Sequence, residues 1–96
     1  MNARRMVDEL CLLAERLGLE VRREPLDGAP GGLCVLKGRR FVLVDATADA
    51  DQQAEVLASA LAEAARTAPA GSLALDDLFI LPEVRQFLQG YAAEAE

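Results

Sequence analysis

Ninety-six residues, 52% of them apolar and 27% charged, suffice for one hydrophobic core and lie far from the composition of a disordered chain, so a single domain over 1–96 is expected. The net charge of −6 is uneven: residues 1–48 carry 8 basic and 7 acidic groups, residues 49–96 carry 2 and 9, and such a surface repels phosphate backbones, which argues against nucleic acid as a partner. No apolar run approaches the roughly 20 residues of a membrane span, and Cys11 and Cys34 lack metal or disulfide spacing, so no membrane association and a reducing cytoplasm are expected.

From Ala3 to Leu17, Met6, Val7, Leu10, Leu13, Ala14 and Leu17 recur at steps of three and four and mark one face of a helix. Gly18 stands where a left-handed residue closes it, with Leu19 following as the apolar contact. Leu12 falls in the middle of the polar face.

"LEVRRE" alternates apolar and charged residues until Pro25 stops it, the pattern of a half-buried strand near a sheet edge. "PLDGAPGG" is a loop by composition. "LCVLKGRRFVLVD" predicts a hairpin turning at Lys37-Gly38-Arg39. Its second strand is apolar without a break from Phe41 to Val44. That strand is therefore expected to be central, covered on both faces or covered on one and packed by a partner on the other.

Asp49 followed by Gln52 resembles a capping box and opens a second helix, with Thr47 as an alternative cap. Leu57, Leu61, Ala64 and Ala68 form the centre of its apolar face, while Glu55, Ser59, Glu63 and Arg66 gather opposite. "TAPAGS" reads as a linker, with Ser72 capping a short turn through Leu75. Pro82 then starts a third helix that carries Val84, Phe87, Leu88, Tyr91 and Ala95 on one stripe. The order α-β-β-β-α-α predicts an α+β domain, three helices packed on a three-stranded, mainly antiparallel sheet.

The strand ending in an acid, the short loop and the helix "VLASALAE" resemble the local layout of the zinc-peptidase-like ImmA/IrrE group, whose helix carries a motif similar to "LAHELGH". The resemblance covers roughly residues 17–66. On that pattern Ser59 and Glu63 would stand at the two ligand histidines and Ala60 at the general-base glutamate. Zinc catalysis of this kind needs two imidazoles one turn apart and a carboxylate to activate water. The chain contains no histidine, so the resemblance implies a degenerate domain that binds a peptide or ligand without cleaving it, and no zinc or other cofactor is expected.

Without histidine the usual general base is missing as well, and the single lysine, Lys37, sits beside a turn. Asp45, Asp49 and Asp51, and Asp76 and Asp77 with Glu83, have the spacing of helix caps rather than of a calcium loop. Cys11 and Cys34 are expected to pack in the core.

Two groups point to binding. Arg22 and Arg23 on one strand and Arg39 and Arg40 at the hairpin turn would form a guanidinium patch for an anion or an acidic partner if their strands pair. Leu78, Phe79, Ile80 and Leu81, four large apolar residues after the linker, together with Leu12, form a candidate protein interface. The expectation is a small cytoplasmic protein without catalysis, a protein-interaction or regulatory module whose partner is itself, as a homodimer, or another subunit of a larger assembly. Its richness in arginine and alanine, with one lysine and one asparagine, suggests a GC-rich bacterial genome as its source.

Overall fold

The computed structural model describes residues 1–69, 71, 72 and 74–94, without the side chains of Asp76 and of 92–94. Its first helix, α1 (Ala3–Arg16), begins where the Asn2 side chain accepts a hydrogen bond from the Arg5 N–H at 2.8 Å. It ends in a Schellman arrangement: Gly18, at φ +79°, donates to the Glu15 carbonyl and Leu19 to that of Ala14. A side chain at position 18 would strain this left-handed turn. Met6, Val7, Leu10, Leu13 and Ala14 are buried, as the spacing predicts.

Three strands follow: β1 (Glu20–Glu24), β2 (Gly32–Leu36) and β3 (Arg39–Asp45). Their spatial order is β1-β3-β2. β2 and β3 form an antiparallel hairpin across a two-residue turn in which Lys37 and Gly38 both have positive φ, +53° and +78°, the type I′ geometry that matches strand twist. β1 pairs with the other side of β3, and in parallel, with Val21 beside Val42. The sheet is thus mixed, with β3 central as its unbroken apolar run predicts.

Residues 25–31 carry the chain from β1 across the end of β3 to β2, a gap of two strand spacings, roughly 10 Å. The crossing is tight. A Cβ at Gly31 would stand 2.5 Å from the Leu43 carbonyl oxygen, so only glycine lets the segment pass.

The described helices lie on one face of the sheet. There Val42 and Val44 are fully buried, with Val21 and Leu33 packed beside them. On the opposite face Phe41 and Leu43 stay half-buried, with the Arg22 guanidinium 4.5 Å from the Phe41 ring centroid.

The second helix, α2 (Ala50–Arg66), is capped by Asp49, whose carboxylate accepts from the Gln52 N–H at 2.8 Å. It packs on β2 and β3 below and against α1 and the third helix on its sides. Its buried residues are Ala54, Leu57, Ala58, Ala60, Leu61, Ala62 and Ala64, and small side chains permit approach from several directions.

A single 3₁₀ turn, Leu75–Asp77, precedes the third helix. It starts after Ala74 and not at Ser72, because the Asp77 carboxylate reaches back to accept from the Ala74 N–H at 3.2 Å. The third helix, α3 (Pro82–Glu94), contributes Val84 and Leu88 to the core, with Phe87 and Tyr91 half-buried and in ring contact at 5.3 Å. Ala95, expected on the same stripe, lies outside the described residues.

Candidate interaction surface

The structure separates the four arginines. Along β1, successive side chains take opposite faces, so Arg22 lies on the helix-free face over Phe41 while Arg23 points toward α1. The Arg23 guanidinium donates to the Cys11 sulfur at 2.9 Å and lies 3.8 Å from the Asp8 carboxylate. The sulfur contact, partly offset by burial, raises its pKa further. Arg40 turns to the helix side and donates to the carbonyls of Ala64 (3.1 Å) and Thr67 (3.4 Å) at the end of α2, while Arg39 is exposed near the hairpin turn. No joint guanidinium patch forms, because register sets Arg22 beside Leu43, four residues along β3 from Arg39.

The acids serve local structure. Asp45 accepts from the Thr47 hydroxyl (2.7 Å) and the Thr47 N–H (2.9 Å), and these bonds hold its carboxyl below the usual range. Asp49 caps α2 and Asp77 caps the 3₁₀ turn, while the side chain of Asp76 lies outside the described part of the chain. Among the described residues no three of His, Cys, Asp and Glu come together to hold a metal ion.

Cys11 and Cys34 are both free and half-buried, and they lie on opposite sides of the sheet: Cys11 on α1, Cys34 beside Phe41 on the helix-free face. Ser59 and Glu63 are exposed on the outer side of α2, and Ala60 is buried.

The apolar candidates divide as well. Ile80 is a core residue at 8% exposure, and Leu78 and Leu81 pack against the core as half-buried neighbours. Phe79 and Leu12 stand out at 76% and 52% exposure. They line one shallow groove of about 330 Å³ between α1 and the segment leading into α3, where Arg16 donates to the Phe79 carbonyl at 3.3 Å. A larger cleft of about 770 Å³ opens where the hairpin turn, the end of α1 and the end of α2 meet; its charged lining residues are Glu20, which pairs with Arg22, and Arg39 and Arg40.

A second exposed apolar site was not legible as such in the sequence. Val35 and Leu36, at 65% and 57% exposure, occupy the outer strand β2. The signal was indirect: once "FVLV" is central, one neighbour must be an edge strand, and "GLCVL" contains no charge to protect that edge.

No helix among the described residues is long and apolar enough to cross a membrane. Compared with models of known protein families, with curated proteins and with solved structures, the chain matches none.

Proposed function

We propose that this chain is a protein-interaction or regulatory module without catalysis of its own, and that it works by associating with itself. The observation that carries the reading is where its exposed large apolar side chains lie: Val35 and Leu36 flank the free edge of one strand, one on each face of the sheet, and Leu12 and Phe79 line one groove. Scattered apolar residues are normal on any surface, whereas grouped ones mark contacts. The polar chemistry supports it from the other side, since Arg22, Arg23, Arg40, Asp45, Asp49 and Asp77 are engaged in caps, a turn and pairs within the fold.

Sedimentation equilibrium over a wide concentration range tests the reading. The expected result is a species of two chain masses that dissociates on dilution. A single chain mass at every concentration overturns it.

A further inference from the structure

We propose that the occupant of the free β2 edge is β2 of a second copy, joined antiparallel about a two-fold axis that passes between Cys34 of the two chains. The proposal rests on the self-association reading and names its interface.

Hydrogen-bond alternation fixes which groups the edge offers. The two-residue turn makes Leu36 and Arg39 a hydrogen-bonded pair. By alternation Cys34 and Gly32 also direct their N–H and C=O to β3, so Leu33 and Val35 direct theirs outward. The outer side of a lone edge strand is a template for another strand.

The strand complements itself. Pairing the whole of Gly32–Leu36 with its own copy sets Leu33 against Val35 of the partner subunit and Cys34 against Cys34 of the partner subunit. That full overlap is in phase, because the two outward-directed residues then bond to each other. The exposed Val35 meets the partner's Leu33 on the helix side, and on the other face the exposed Leu36 stands opposite the partner's Gly32, which has no side chain to obstruct it.

Charge selects the same occupant. Beyond the C-terminal end of β2 come the exposed Lys37 and Arg39, and before its N-terminal end comes the exposed Asp27, with Asp45 at the adjoining end of β3. An antiparallel copy places the basic end of each strand at the acidic end of the other, whereas a parallel copy would set like charges together. The assembly also closes. The opposite edge, β1, is "EVRRE" followed by Pro25, four charges in five residues, so β1 resists pairing and growth stops at two copies. The result is a six-stranded sheet in the order β1-β3-β2-β2-β3-β1.

Cross-linking provides the test. Residues facing each other in a non-hydrogen-bonded antiparallel pair have Cα atoms about 4.5 Å apart, within the span of a disulfide. Copper phenanthroline, which takes two electrons from two thiols with release of two protons, is therefore expected to give a covalent dimer from Cys11→Ser protein and none from Cys34→Ser. Val35→Lys is expected to raise the dissociation constant about tenfold or more, with circular dichroism unchanged. In the unaltered dimer the Leu33 and Val35 amide hydrogens are expected to exchange slowly and to become fast on dilution, a readout that needs no variant and decides the matter should Val35→Lys fail to fold. A dimer with no Cys34 cross-link and fast exchange at Leu33 and Val35 overturns this interface while leaving self-association standing. A monomer at all concentrations overturns both, and so does an edge that pairs only with a foreign strand.

Discussion

Arg40 shows how a residue that reads as surface charge becomes structural. It stands on the helix side of β3, and its guanidinium reaches the last carbonyls of α2, where unpaired acceptors and the negative end of the helix dipole both favour a cation. Replacing it with methionine keeps the aliphatic stem and removes the bonds; the expected loss is about 1 kcal/mol, measured by urea denaturation, with Arg40→Lys between the two. Asp45 gives a pH signature. Its folded-state pKa is lowered, by the Thr47 hydroxyl first and the Thr47 N–H second. Its contribution is therefore present above the unfolded value, about 3.9, and disappears as pH falls through the lower folded value. Asp45→Asn is expected to remove that part of the acid dependence of stability, seen as a flatter plot of melting temperature against pH in the acid range. Neither partner was legible in the sequence, because Arg40 bonds to Ala64 and Thr67, 24 and 27 positions away, and only the pairing of sheet and helix brings them together.

Periodicity carried the elements well where burial is one-sided. Helix α1 shows its core face directly in the spacing from Met6 to Ala14, and the Asp49 cap was readable because capping is local in sequence. The pairing of β1 was not readable. Its alternation marked an edge strand, but nothing in "LEVRRE" states that β3 will insert between β1 and β2 and run parallel to the first. Gly31 is the residue that permits this crossing, and its role depends on a carbonyl twelve residues away. The run Leu78–Leu81 was legible as apolar but not as divided, since four consecutive residues in an irregular segment point in different directions. Two substitutions separate its halves. Ile80→Asp places an unpaired charge among core residues and is expected to cost about 3 kcal/mol or more, whereas Phe79→Asp changes an exposed side chain and is expected to stay within about 0.5 kcal/mol. Chemical denaturation of both variants checks the pair, and equal costs would mean that Phe79 is covered.

At the scale of the molecule, one face of the sheet carries every described helix and the other carries none of them, so the apolar run of β3 is satisfied on one side and half-satisfied on the other. Composition indicated this surplus without locating it: 52% of the residues are apolar, but only the structure shows that the exposed remainder is divided between Val35 and Leu36 on β2 and Leu12 and Phe79 on the helix side. The same architecture bears on how the chain unfolds. α3 touches no strand extensively and rests mainly on α2, an arrangement in which a terminal helix can melt first. Against that, Val84 and Leu88 of α3 and Ile80 just before it belong to the same buried cluster as Leu10, Leu57 and Val42, so removing this C-terminal segment opens the core that holds α1 and α2 on the sheet. The second effect is expected to win, because those three buried side chains each contribute on the order of 1.5–3 kcal/mol, a large share of the total stability of a domain of this size. The chain provides its own probe, since it has no tryptophan and its single tyrosine, Tyr91, lies on α3. Tyrosine fluorescence therefore follows α3 while far-ultraviolet circular dichroism follows all the helices and the sheet. In urea, at a concentration where the association state is fixed, the two transitions are expected to share one midpoint and one slope. A tyrosine transition at lower denaturant would show that α3 is a separate unit docked on an independently stable sheet and helix pair.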